Sequence, residues 1–398
     1  MDIPLSDNIV RVKLLDTTTY LTGKAFVFVD PVVPGHETFS FYDLAFFIEN
    51  EAQGKKVMFD LGTRKDYWNL APAVQHVFGA DTVMDGIRIE KNVSEILEDG
   101  GVTLESINSC IWSHHHYDHC GNMYPFPSST SITVGSGFKA AGLLPGYPEN
   151  PKSPVLASDF ANRDLIEVNF ENGFSIGGFP AYDYFGDGSF YLLDSPGHCP
   201  GHLCALARTT PSSAEGGATF VFMGGDICHF AGDFRPSPEK PLPDPIPEFI
   251  IKWRNEARNF PACPCSLTAH HPNTSDQGAA RTTPWYNMRA EYPTVYPDIE
   301  NARASVAKMQ SLDQNENILV CIAHDAVLLD YLPIFNKNPG QDINGWKGDC
   351  IKEKCHWGWM REIAVDGQPA HAPLVEGFWR DGKLWDYEVF KKTLNIPS

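Results

Sequence analysis

Ser113-His114-His115-His116-Tyr117-Asp118-His119 is the stretch whose reading decides what this chain is. Four candidate ligands, His114, His116, Asp118 and His119, fall within six consecutive residues. Imidazole suits zinc and other borderline divalent ions, and a carboxylate adds negative charge to such a site. The apolar run at 109–112 reads as a strand that delivers the chain to this turn. Side-chain alternation then puts His114 and His116 on one side and His115 on the other. Asp118 and His119 lie beyond the bend, where they can serve an adjacent position. A His-rich surface loop accounts for any one of these histidines; it does not account for the ordered set.

Three more residues of ligand type also stand just past apolar runs. His198 closes Ser195-Pro196-Gly197-His198 after the strand expected at 190–193, and Asp226 closes Gly224-Gly225-Asp226 after 219–223. His324 follows 318–323. Strand ends are where α/β proteins build sites, because the sheet holds the ends rigidly while the loops remain variable.

The remaining pattern is one of short strands with few helices. Strands are expected at 9–15, 25–29, 42–48 and 56–59, the last running into Asp60-Leu61-Gly62-Thr63. Others are expected at 165–168 and 203–207. Helices are expected from about residue 65, over 92–97 with Asn92 as cap, and over 298–312. From 229 to 297 the chain turns rich in proline, aromatic and polar residues. So long an irregular segment inside a compact domain is uncommon and is often functional. It reads as a lid or substrate wall, with Phe230, Phe234, Trp253, Trp285 and Tyr286 as candidate lining residues and core packing as their alternative role. The part containing Trp346, Trp357 and Trp359 reads as packed helix and closing strand. The expected organisation is a single domain over 1–398 carrying this insertion at 229–297.

Composition excludes several classes. The 398 residues carry a formal charge of -19, so the chain repels polyanions. The nearest approach to a basic stripe, Lys352 and Lys354, is interrupted by Glu353, and no nucleic-acid partner is expected. No run approaches the roughly 18 apolar residues of a membrane helix. The first residues carry acid and no base before any apolar run, unlike a targeting leader, so a cytoplasmic location is the expectation. Ten cysteines are diluted over a long chain. Cys110, Cys204 and Cys321 sit inside apolar runs as small hydrophobes. The spacings of Cys263 with Cys265 and of Cys350 with Cys355 do not match a zinc ribbon.

With these residues in place the sequence resembles the metallo-β-lactamase superfamily, and within it the dinuclear N-acyl-homoserine lactonase-like branch. The H-x-H-x-D-H run at 114–119, the P-G-H at His198, the G-D at Asp226 and the histidine at 324 match in order and approximate spacing, over roughly residues 60–325. The resemblance implies an α+β fold, an αββα sandwich. It implies two divalent metal ions, zinc by ligand type, with Mn2+ or Fe2+ also compatible. It puts His114, His116 and His198 on the first ion, Asp118, His119 and His324 on the second, and Asp226 between them. The activity it implies is opening of a small cyclic ester or cyclic amide by a metal-bridged hydroxide, with Asp118 orienting that hydroxide and taking its proton. The expected partner is a small-molecule carbonyl substrate.

One position departs from the pattern. Lactonase-like relatives commonly carry a tyrosine three residues after the bridging aspartate; here His229 stands there. Imidazole can donate a hydrogen bond or a proton to a leaving group, so His229 is a catalytic candidate, with a packed histidine as the plain alternative. His202 reads as structural, and His270 and His271 as polar loop residues. Asp60 is either an outer partner of a ligand histidine or a helix start. Competing activities on the same scaffold are a thioesterase, glyoxalase II-like or acting on a carrier-bound acyl chain, and a mono-iron dioxygenase. A flavin-linked di-iron enzyme is disfavoured because His116 is intact, and a non-catalytic binding protein because no ligand is lost.

Overall fold

In the strand Thr38–Asn50, alternate residues enter two different cores. Leu44, Phe46 and Ile48 pack on one side, and Ala45 and Phe47 on the other. A strand apolar on both faces must be covered twice, and the chain supplies both covers. Facing Phe46 is a second sheet, whose Phe190, Leu192, Ala205, Val221 and Leu319 complete the central core. Facing Phe47 is the helix Val93–Asp99, which inserts Val93, Ile96 and Leu97. The second sheet repeats the logic in mirror fashion. Its Leu193, Leu206, Phe222 and Val320 face outward against Ala302, Val306, Met309 and Leu312 of the helix Ile299–Asp313. Helix, sheet, sheet and helix therefore stack as an αββα sandwich.

The computed structural model describes residues 3–78, 82–171, 173–252, 268–269, 271–364, 367–386, 389–390 and 392. Trp253, Cys263, Cys265 and His270 lie outside them. Among these described residues the first sheet has nine strands in the order Lys383–Leu384, Gly377–Arg380, Met84–Ile89, Arg11–Lys24, Thr38–Asn50, Lys55–Phe59, Ser109–Ile111, Ser131–Val134 and Leu165–Glu167. The second has six, ordered Ile318–Cys321, Phe220–Met223, Leu203–Arg208, Phe190–Asp194, Phe179–Asp183 and Ser175–Ile176. No helix among the described residues is long and apolar enough to cross a membrane.

Two expectations change. Residues 25–29 are not one strand: a 3-10 turn, Ala25–Val27, precedes the two-residue strand Val29–Asp30. That short strand pairs with Asn287–Met288 of the insertion. The turn lets Ala25, Val27 and Phe28 all point into one core, which strict alternation would prevent. The helix expected from residue 65 is a 3-10 turn, Tyr67–Asn69, and a single helical turn, Pro72–Gln75, with Pro72 at its start. Asn92 does precede its helix, and its backbone N–H donates to Glu95 Oε2 at 2.7 Å.

Parallel pairing aims the strand ends. Lys55–Phe59 and Ser109–Ile111 run parallel, so Asp60 and the histidine-rich turn leave the first sheet side by side. Phe220–Met223 and Ile318–Cys321 also run parallel, so Asp226 and His324 leave the second sheet together. The two edges are tied by Leu203 N–H to Ser113 O at 2.7 Å and Leu44 N–H to Ala323 O at 3.0 Å.

Candidate metal centre

The histidine-rich turn is held in shape before any ion is considered. Asp60 has a left-handed backbone, φ +63°, which Asp tolerates better than most residues. Its Oδ1 accepts from Ser113 N–H at 2.6 Å and its Oδ2 accepts from His119 Nδ1 at 2.8 Å. The carboxylate thus spans the turn, and of the two roles open to Asp60 it takes the partner role and starts no helix. The turn Tyr117–Cys120 ends at Gly121, φ +57°, where an added Cβ would lie 2.4 Å from Leu61 Cβ.

All seven expected donors converge. His198 Nε2 lies 3.2 Å from His114 Nε2 and 2.9 Å from His116 Nδ1. Asp226 Oδ2 lies 3.6 Å from His114 Nε2 and 3.5 Å from His198 Nε2. Its other oxygen, Oδ1, is 3.1 Å from both His119 Nε2 and His324 Nε2. Asp118 Oδ2 stands 4.0 and 3.9 Å from those same nitrogens. Two groups result, His114–His116–His198–Asp226 and Asp118–His119–Asp226–His324, with Asp226 common to both. His115 turns away from them toward Phe138, as alternation predicts.

These spacings fit cations. Donors about 2.0–2.1 Å from a tetrahedral zinc stand about 3.4 Å from one another, and the observed separations bracket that value. His119 Nε2 and Asp226 Oδ1 are buried and make no well-formed hydrogen bond among the described residues. Buried polar atoms left this way call for a ligand.

Electrostatics separates the rings. Burial, reinforced by neighbouring histidines, holds His114, His116 and His198 well below the ordinary imidazole range. Burial acts the same way on His119 and His324. Asp226 with Asp60 and Asp118 overcomes it at His119, and Asp226 with Asp43 overcomes it at His324, so both stand well above that range. Asp226 is held low: burial opposes its charge, but His119 and His324 outweigh it.

His229 lies inside this set. Its Nε2 is 3.1 Å from Asp226 Oδ2 and its Nδ1 is 2.7 Å from the Tyr296 hydroxyl. A carboxylate only accepts, so Nε2 carries the proton and the Tyr296 hydroxyl donates to Nδ1. His202 Nε2 accepts the Asp226 N–H at 3.0 Å, and its Nδ1 meets Ser195 Oγ at 2.8 Å, so it positions Asp226 rather than joining the donors. His271 is remote, bonded to Thr283 O at 3.0 Å.

Two partners escaped the sequence reading. Asp43 Oδ1 lies 3.2 Å from His324 Nδ1, and its Oδ2 accepts from Thr63 Oγ1 at 3.2 Å. The signal was present: one acid inside the apolar run 42–48. Tyr296 carried no signal.

Above the donors lies a cavity of about 250 Å³. Its apolar wall comes from Phe28, Phe41, Val74, Val77, Val83 and Met84. This revises the expected substrate wall. Of the described residues of 229–297, only His229 and Val295 reach the cavity. Phe234, Trp285 and Tyr286 are buried in the core, and Phe230 lines a smaller neighbouring cavity of about 30 Å³. The physical reason is that the insertion packs its large rings against one another and against Trp359, as Phe230–Trp359 and Trp285–Trp359 show.

The family model of the metallo-beta-lactamase superfamily matches residues 41–316, which contain six of the seven donors. The chain belongs to that superfamily. It is 38% identical over 358 residues to the metallo-hydrolase mfmC of Annulohypoxylon moriforme, covering 90% of this chain and 88% of that protein. It is also 38% identical over 378 residues to the gamma-lactamase FDB1 of Fusarium pseudograminearum, covering 91% and 84%. The solved structure of a B. thuringiensis AiiA mutant, with N-decanoyl-L-homoserine at its active site, shares the fold. The TM-score is 0.51 at 15% identity, over 82% of this chain and 98% of that one.

Proposed function

We propose that this member of the superfamily is a metal-dependent hydrolase that opens a small cyclic amide or cyclic ester. The observation that carries this reading is the division of seven converging donors into two groups that share Asp226. His114, His116 and His198 would hold one divalent ion and Asp118, His119 and His324 the other, with Asp226 common to both. Zinc is favoured by the nitrogen-rich set. When bound, such ions supply Lewis acidity toward a carbonyl and an activated water at neutral pH.

The chain's own residues do the rest. Asp118 lies at the cavity floor, where it orients a water molecule and accepts its proton. In the absence of an ion, burial pushes its carboxyl up to about 7, against the pull of His119. His229 presents an Nε2–H, fixed by Tyr296, beside Asp226 and the cavity, where it can donate a hydrogen bond to the substrate carbonyl or the departing atom. The apolar wall contains no lysine or arginine among the described residues, so it suits an uncharged ring. The name of the gamma-lactamase relative supports a cyclic amide within this class. A cytoplasmic location and the single-domain organisation belong to the same reading.

Elemental analysis of protein prepared without added metal, followed by turnover of matched lactams, lactones and thioesters, tests this proposal. Two equivalents of a divalent ion with ring-opening activity are expected. One iron with oxygen uptake, or turnover confined to thioesters, overturns it. His229→Phe is expected to keep its metal and lose turnover by about 10²-fold, the low end for loss of a hydrogen-bond donor aimed at developing charge. Unchanged turnover removes the role.

A further inference from the structure

Behind His116 a third group of donors meets. One donor atom each from His115, His116 and Cys199 lies within 4.8 Å of the others. His116 directs Nδ1 at His198, which leaves Nε2 as its second donor. The ring of His115 is partly buried, and its Nδ1 is sealed from solvent with no hydrogen-bond partner among the described residues. Such an orphaned nitrogen calls for a ligand, ion or water. Cys199 is a buried free thiol whose sulfur lies within reach of a donor atom of His115 and of His116. Thiolate with imidazole is a donor set that selects soft and borderline cations over Mg2+ or Ca2+.

We propose that His115, His116 and Cys199 form an additional, inhibitory site for a soft divalent cation such as cadmium or excess zinc, with His116 shared between this site and the first metal position. Occupation forms one sulfur–metal and two nitrogen–metal bonds. It releases two protons to solvent, one from the Cys199 thiol and one from His116 Nε2, and nothing is oxidised or reduced. The shared ring then divides its electron density between two ions. His115 and His116 also line the substrate cavity, so the extra cation sits in its wall. Both effects slow turnover. The inference rests on the reading of His116 as a ligand of the first position.

Cadmium titration of the resident-metal enzyme tests this, following metal content, the ultraviolet thiolate-to-cadmium band and turnover together. A third equivalent that brings the band and the loss of turnover in step is expected. Cys199→Ser is expected to keep two equivalents and basal turnover, to lose the band, and to need at least about tenfold more cadmium for inhibition, the scale on which even an outer partner affects a metal site. A band or a third equivalent that survives in Cys199→Ser comes from other thiols and overturns the proposal. If Cys199→Ser does not fold, His115→Asn is read for band and stoichiometry alone, and retention of both overturns it equally. A Cys199-dependent band in a protein without two resident ions breaks the dinuclear reading and supports this site. Two resident ions without such a band break this site alone.

Discussion

The two halves of the donor set are backed differently. On the first side His114 turns Nδ1 to the Ser113 hydroxyl at 3.0 Å, and His198 Nδ1 has no partner among the described residues. On the second side each histidine has a buried carboxylate behind it, Asp60 at 2.8 Å from His119 and Asp43 at 3.2 Å from His324. A carboxylate behind an imidazole fixes its tautomer with the far nitrogen free to bind, and makes that nitrogen a stronger donor. His119 and His324 stand above the ordinary imidazole range, raised first by Asp226 and then by the carboxylates behind them, while burial holds His114, His116 and His198 below it. The fold therefore builds one position from neutral rings and the other from rings supported by charge. The second position is expected to hold its ion by virtue of the residues behind it, and the first by virtue of the ligands alone.

Asp226 is the element the two halves share, so its loss has the largest effect. Asp226→Ala is expected to empty or scramble both positions and abolish hydrolysis, as elemental analysis and turnover would report; retention of one full equivalent would mean the halves are independent. Chelation comes next. Ions that bind the folded state alone stabilise it by about 4 kcal/mol when free metal exceeds the dissociation constant a thousandfold. The thermal midpoint is therefore expected to fall on chelation and to return with zinc, and an unmoved midpoint would deny that the donor set binds ions at all.

The comparison is sharpened most by changing the backing groups. Asp43→Asn and Asp60→Asn are each expected to weaken one metal equivalent by about 10–100-fold. Ser113→Ala, on the neutral side, is expected to change affinity far less. Equal effects from all three, measured by metal-buffered titration, would erase the asymmetry. Arg235→Met probes a region away from both halves. The pair Arg235–Asp313, closed at 2.7 Å and buried, ties the insertion to the helix Ile299–Asp313. Removing one partner of such a pair costs about 3–5 kcal/mol of stability. Denaturant unfolding should show that loss while metal content stays at the wild-type value.

The histidine-rich turn was legible because its chemistry is local: four residues of ligand type within six positions leave little room for any use but metal binding. His198, Asp226 and His324 were legible for a second reason, since each follows an apolar run that could only be a strand. Asp43 was visible as a lone acid among Tyr42, Leu44, Ala45 and Phe46 but had no assigned purpose. Its partner His324 lies far along the chain and meets it only when the two sheets pack. The aromatics of the insertion read as cavity lining because composition does not show which way a ring points.

From its residue order alone this chain showed short strands with candidate ligands at their ends, because periodicity and ligand type act over a few neighbouring positions, while the layered fold and the chemistry were implied by its resemblance to the metallo-β-lactamase superfamily. Tertiary structure alone decided which carboxylate stands behind which ring, that Phe28, Phe41 and Met84 rather than the insertion line most of the cavity wall, and that Cys199 meets His115 and His116. Those pairings join strand ends on two sheets, and only the packed sandwich sets the distances between them.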